Sequence, residues 1–587
     1  MHTDHAKTSA AIRPARTTRP AVSTVQIWND RDRLTSVFAN AGQLVAKHPG
    51  KFKVRLLPFV GMNVRATDPN PLNPHTHFTS ARFRTWAVDQ FEFSGLLADD
   101  GLHDNFLFSD LVGSAYHSRM SHLTTILILF GFAMIAGAEP DGRLKFHTAP
   151  KPLPEGAKTS DWLRFLGPNH DASSPESMLL KKFPEGGPKI VWELEKGDGY
   201  TCPSIKGERL LFFHRIDDEE VLECRHRETG KLFWKVGYPV DYRDRYGYSN
   251  GPRASPVIDG NRIYTAGVTG KIRCHDLESG KLVWMRDLQA DYQTPSNFFG
   301  YGSTPFVWKD RLIVNVGGKA EPKGVCVAAF SKEDGKELWQ VKDEWGASYS
   351  SPVVKTVNGK EVALVFTGGE SRPPAGGLLV IDPEKGTVHA RFPWRGDKYE
   401  SATASTPIVV GKNRVFISEC YTEGGVMLEF ADDWSVKEVW KERWFGMHWM
   451  TPIQKGDHLY GFAGRNEPDV QFKCALAGTG EIIWKDDMRW EEMEDGASRI
   501  RSLFRGSLLT VDGEHLCLGE HGALTWITLS PDGPPDITGK TNLFLSQHNW
   551  TLPALSHGLL YVCQNGRDVS DGTKPRLICY DLRAETE

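Results

Sequence analysis

Ser255-Pro256-Val257-Ile258-Asp259-Gly260-Asn261-Arg262-Ile263-Tyr264-Thr265-Ala266-Gly267-Val268-Thr269-Gly270-Lys271-Ile272-Arg273-Cys274-His275-Asp276-Leu277-Glu278-Ser279-Gly280-Lys281-Leu282-Val283-Trp284 holds four short strand patterns separated by turns. The first pattern, Ser255 to Ile258, stops at Asp259-Gly260. Arg262 to Ala266 is the second, and the chain turns again before Gly270. Lys271 to Asp276 alternates polar and apolar residues, as a half-buried strand does. Glu278-Ser279-Gly280-Lys281 then turns the chain into Leu282-Val283-Trp284. Four strands joined by tight turns make one twisted antiparallel blade.

The unit recurs along the chain. Its opening pair stands at Cys202-Pro203, Ser255-Pro256, Thr304-Pro305, Ser351-Pro352, Thr406-Pro407, Thr451-Pro452 and Leu552-Pro553. Ser507-Leu508 fills the one wide gap without a proline. A spacing of roughly 50 residues with short apolar runs marks propeller blades. The closing tryptophan recurs at Trp234, Trp284, Trp339, Trp440 and Trp484, with Phe392 in its place in the fourth unit. A large indole at one fixed point of each blade is expected to pack between neighbours.

The two ends complete one another. The last unit stops at Leu577-Ile578-Cys579-Tyr580-Asp581-Leu582 and lacks its tryptophan strand. Lys189-Ile190-Val191-Trp192-Glu193-Leu194 stands alone before the first unit and carries that tryptophan. Pairing them closes the ring and removes two exposed edges. The expected fold is all-β, an eight-bladed β-propeller of four-stranded antiparallel blades closed by its N- and C-terminal strands. Seven blades is the alternative, if the unit at Ser507 is not a blade.

Residues 1–119 show no repeat and form a non-propeller segment. Leu123 to Ile135 is an apolar run followed by Ala136-Gly137-Ala138, the pattern of a secretory signal cut after Ala138. We therefore expect Met120 to be the natural start, 120–138 a signal peptide, 139–187 a lead-in and 188–587 the propeller. The apolar run is short for a membrane span, so none is expected in the mature chain. The protein is expected to be extracytoplasmic and monomeric.

A formal net charge of −4 with 25% charged residues and no long basic run excludes nucleic acid as a partner. Nine cysteines show no CxxC or zinc spacing, so no structural metal is expected. Cys224, Cys274, Cys474 and Cys579 occupy equivalent places in different blades, too far apart for disulfides, and read as small buried hydrophobes.

Loops from one blade's outer strand to the next inner strand face the mouth of the central channel. Three residues before each proline position stand Tyr200, Arg253, Gly302, Tyr349, Ala404, Trp449, Arg505 and Trp550. This aromatic and arginine ring can stack a planar anionic ligand and pair its carboxylates with Arg253 and Arg505. It can equally do no more than fill a wide channel mouth. His448, His548, Asn549 and Glu400 lie beside it in sequence, without a spacing that defines a base or metal role. The long connections 242–251, 292–302 and 489–505 add Tyr246, Tyr248, Phe298, Phe299 and Arg501.

His275-Asp276-Leu277-Glu278-Ser279-Gly280-Lys281-Leu282-Val283-Trp284 and the opening Asp161-Trp162-Leu163-Arg164-Phe165-Leu166-Gly167-Pro168-Asn169 resemble the PQQ-like repeat family. This family joins the pyrroloquinoline-quinone (PQQ) dehydrogenases to their non-enzymatic, BamB-like relatives. The resemblance covers residues 160–585 or so and implies the propeller. For an enzyme it implies PQQ, Ca²⁺, a catalytic Asp and a vicinal cysteine pair. This chain has no Cys-Cys, no C-x-x-C-H and no cysteine after Ala138 for a lipid anchor. The expected function is an exported binding or scaffolding module of the cell envelope without catalysis or cofactor. Its partner would be an envelope protein or glycan, or a small planar anion. The alternative is a PQQ- and Ca²⁺-dependent oxidoreductase of alcohols or sugars.

Overall fold

Turn glycines and short β-rich runs close each unit on itself, and the computed structural model assembles them into a ring. It describes residues 141–585 except 320–322, 370–373, 467–468 and 495. The eight inner strands are Ser204–Lys206, Val257–Asp259, Phe306–Trp308, Val353–Val357, Ile408–Val410, Ile453–Lys455, Ser507–Val511 and Ala554–Ser556. Each opens a blade, numbered one to eight in that order, whose strands pair antiparallel in sequence. The unit at Ser507 is a full blade, so eight holds and seven does not.

Blade eight takes its outer strand from the other end of the chain. Ile190–Glu195 pairs antiparallel with Arg576–Asp581, and Trp192 stands opposite Cys579. The same register recurs elsewhere, with Cys224 opposite Trp234, Cys274 opposite Trp284 and Cys474 opposite Trp484. All nine cysteines are unpaired, and all but Cys420 are buried.

Two belts join the blades. In the outer one, each closing indole donates its N–H to a carbonyl of the next blade. Trp192 reaches Arg227 O at 2.8 Å, Trp234 reaches Leu277 O at 3.1 Å and Trp284 reaches Lys332 O at 3.0 Å. The next blade's turn then lies on the indole face. At Gly280, φ is 70° and a Cβ would come within 2.5 Å of the Trp234 ring, so the turn admits only glycine. Where Phe392 replaces the indole, Trp434 in the following turn stacks on His389 at 4.7 Å.

An inner belt accounts for the small polar residue before the prolines of blades two, three and four. Cys202 N–H donates to Ser255 Oγ at 2.9 Å, Ser255 N–H to Thr304 Oγ1 at 3.1 Å, and Thr304 N–H to Ser351 Oγ at 3.1 Å. Each hydroxyl satisfies a backbone donor of the preceding blade that would otherwise be buried unpaired.

The lead-in does more than precede the ring. It crosses the channel at the end away from the 200/253/505 positions. Trp162 and Ile205 exchange backbone bonds at 3.0 and 2.7 Å, Leu163 O accepts from Ile258, and Ala172 O accepts from Thr510. Lys355 Nζ donates to Asn169 O at 3.0 Å and Ser556 Oγ to Ser160 O at 2.8 Å. Ser173–Ser174 adds a parallel strand to blade seven, inside the ring. Buried Glu176 clamps the segment by accepting the N–H groups of Ser160, His557 and Gly558. Left-handed backbone at Leu166, His170 and Ala172 lets the plug bend tightly.

Among the described residues no helix is long and apolar enough to cross a membrane. The expected start at Met120, the run 123–135 and the cut after Ala138 lie outside the described residues.

Candidate ligand-binding cup at the channel mouth

The positions three residues before each proline immediately precede the inner strands, and the propeller brings them to one mouth. Tyr200, Arg253, Gly302, Tyr349, Ala404, Trp449, Arg505 and Trp550 all line one cavity of about 360 Å³. His448 and His548 line it too. Asn549 is buried in the loop below, donating to Glu520 O and Ser546 O, and does not line the cavity. Of the long connections, Tyr248 and Phe299 reach the cavity.

Sequence reasoning missed two sets of lining residues. Tyr421, Arg465 and Asn466 come from loops after the second strands of blades five and six, where no repeat position signals them. Phe165, Leu166 and Ala172 of the plug line the opposite end, so the channel is a blind-ended cup.

Aromatic rings form one continuous wall. Trp550 lies 5.2 Å from Tyr200, 5.3 Å from Tyr248, 5.5 Å from Trp449 and 4.9 Å from His548, centroid to centroid. Tyr349 accepts the Phe299 N–H at 3.0 Å through its hydroxyl and stands 5.6 Å from that ring. The indole Nε1 atoms of both Trp449 and Trp550 are buried without a hydrogen-bond partner.

The charges at the cup already have partners. Arg253 Nη2 donates to Asp244 Oδ2 at 2.6 Å and to Ser249 O at 3.0 Å, and Nη1 donates to Gly251 O. Arg505 holds Glu520 through Nε at 2.7 Å and Nη2 at 3.0 Å, and gives Nη1 to Arg465 O at 2.9 Å. Its guanidinium also lies 4.8 Å from the Trp449 ring centre. The sequence offered both arginines to a ligand's carboxylates; in the fold each holds a carboxylate of the protein. Arg465 Nη1 stands 3.5 Å from Glu400 Oε1. His448 is held between the Tyr421 hydroxyl at 2.9 Å and Arg505 Nη1 at 3.4 Å. Burial, then Arg505 and Arg465, drive its pKa well below the usual imidazole value, so it stays neutral. Burial, with the neighbouring Cys563, raises the Cys202 thiol, which is no nucleophile at neutral pH.

A consequence for stability follows from the Arg505–Glu520 pair, whose side chains are 13% and 3% exposed. Arg505→Ala leaves a buried carboxylate without its two-pronged donor, a loss of about 3–5 kcal/mol. Denaturant midpoints will measure it. A loss under about 1 kcal/mol, as for an exposed ion pair, would contradict the geometry.

Fold and cup together define an eight-bladed propeller with an aromatic, charge-balanced, blind-ended mouth. A family profile described as "Outer membrane protein assembly factor BamB" matches residues 217–486. The chain is 26% identical over 202 residues to the quinoprotein alcohol dehydrogenase PedH of Pseudomonas putida, covering 31% of this chain and 29% of that protein. It is 26% identical over 179 residues to the outer membrane protein assembly factor BamB of Burkholderia pseudomallei, covering 29% of this chain and 39% of that one. The chain thus spans well under half the length of either curated relative. Among solved structures it is similar to BamB from Moraxella catarrhalis, with 12% identity, a TM-score of 0.42, and coverage of 66% of this chain and 95% of that one. It is also similar to a europium-containing methanol dehydrogenase, with 11% identity, a TM-score of 0.49, and coverage of 72% and 98%. These matches support a PQQ-like repeat family for the propeller, with the profile match confined to residues 217–486.

Proposed function

We propose that this protein is an exported binding or scaffolding propeller of the cell envelope, which receives its ligand at the cup and performs no chemistry there. One observation carries the reading: the two arginines of the mouth ring and His448 are held by other groups of the protein. Arg253 and Arg505 are bound to carboxylates, and His448 is buried, neutral and bonded through both ring nitrogens. A general acid or base needs a free proton site within reach of the ligand and a pKa near the working pH. Such a cup is suited to holding a molecule. The match to the BamB profile over 217–486 supports the non-catalytic branch, and the extracytoplasmic, monomeric state is part of the proposal.

The PedH match keeps a quinone-dependent dehydrogenase as the reading to be tested against. The residues present do not fit that group. PQQ carries three carboxylates, while the ring's two arginines already hold Asp244 and Glu520. Among the described residues no three His, Cys, Asp or Glu side chains gather as a metal site would need. Titration with PQQ and Ca²⁺ is expected to give no saturable absorption change and no alcohol- or sugar-dependent dye reduction. Turnover would overturn the proposal. N-terminal sequencing of the natural protein tests export, with a first residue near Glu139 expected and a peptide from 1–119 contradicting it.

A further inference from the structure

We infer that the cup takes an uncharged, polyhydroxylated ring, the terminal sugar of a neutral glycan, in preference to an anionic cofactor. This rests on the binding reading above and names its ligand class. The first ground is charge. Arg253 is matched by Asp244 at 2.6 Å and Arg505 by Glu520 at 2.7 Å, and His448 is neutral. An incoming anion would compete with buried carboxylates for the same N–H groups. It would also meet the aromatic rings of Trp449, Trp550 and Tyr200, which line the cup beside these already paired arginines. The C–H face of a sugar carries a slight positive charge and suits such a wall.

The second ground is an excess of hydrogen-bond donors. Ser255, Thr304 and Ser351 line the cup, and each hydroxyl accepts the N–H of the preceding blade. Having accepted, each still has its own O–H to give, and no protein acceptor for it is found among the described residues. The indole N–H groups of Trp449 and Trp550 are likewise buried and unpartnered. The three hydroxyls belong to residues that line one cavity of about 360 Å³, closed below by the plug. A ligand that satisfies them needs several oxygen acceptors around a compact ring. A buried donor left unmade is costly, so a ligand without those oxygens is rejected. The blind floor limits entry to a chain end.

The test uses the full chain, tryptophan fluorescence and calorimetry, with three sets of probes. These are neutral di- and trisaccharides of glucose, mannose, galactose and N-acetylglucosamine; the corresponding uronate-containing disaccharides; and PQQ. The expected result is saturable binding of at least one neutral saccharide, with an affinity that changes less than about twofold between low and high salt. Trp550→Ala should weaken it about tenfold or more through the lost stacking face. Trp550→Phe keeps a smaller aromatic face and should weaken it roughly fivefold, less than the alanine change does. Melting curves confirm that this second variant is folded. Failure of the whole neutral panel overturns the inference, as does tighter, salt-sensitive binding of a uronate or of PQQ. Binding of a uronate or protein segment that Trp550→Ala abolishes would refute the sugar and leave the binding reading standing. PQQ-dependent dye reduction would refute both.

Discussion

A chain that begins after Glu195 is expected to be recovered as aggregate, while one that begins at Glu139 folds to a soluble, cooperatively melting propeller. The shorter chain loses the outer strand of blade eight and the whole plug. Trp162, Trp192, Val191 and Leu194 are all fully buried in the core shared by blades one, seven and eight. Removing one such indole costs about 3–5 kcal/mol, against a total stability on the order of 5–15 kcal/mol. The loss also bares the edge of Arg576–Asp581 and opens the channel floor. Soluble fraction and circular dichroism of the two chains decide the matter. A soluble protein from 196–587 with a sharp melt would show that the ring does not depend on its N-terminal strand.

Acid is expected to unfold this protein well above the carboxylate range. Burial holds His275 and His515 down to about 4 and His170 to about 3, the last helped by Arg164 and Lys355. In the unfolded chain each titrates near 6.5. Between those values the unfolded state binds protons that the folded state refuses. The stability these residues contribute is complete above about pH 6.5 and is lost as pH falls towards 4. The two deeply buried ones each account for on the order of 2–3 kcal/mol, and His170, partly exposed, for less. Together they approach the net stability of a domain. Urea midpoints measured from neutral pH downward should fall steeply below about pH 6.5, and His275→Gln should flatten the slope. An unchanged midpoint down to pH 4 would contradict the burial.

The repeat was legible because each of its marks answers a local need. Gly280 is required by a left-handed turn lying on Trp234, and Ser255 by a backbone donor of the preceding blade. Such needs recur in several blades and therefore leave a period in the sequence. The mouth ring was legible for the same reason, since Tyr200, Arg253 and Trp550 hold one repeat position. What the period could not disclose was non-repeating. Asp244 and Glu520 neutralise the two arginines from a loop and from a position after the second strand of blade seven, at unrelated offsets. Tyr421 and Arg465 enter from loops of unequal length. The plug occurs once, and in sequence it belongs to a polar lead-in whose partners lie up to 434 residues away.

That separation has a consequence for how the molecule is made. Ile190–Glu195 and the plug leave the ribosome first, yet Arg576–Asp581 and Ser556 leave it last. At about 5–20 residues per second the wait is roughly 20–80 s. Through that interval the early strand has a free edge towards Arg576–Asp581, and Trp192 can be covered from the blade-one side alone. Blades one to seven can stack as they emerge, but circularity is a single terminal event that engages both ends together. A chain arrested before residue 576 is therefore an open arc with two adhesive ends, a natural client for a holding chaperone.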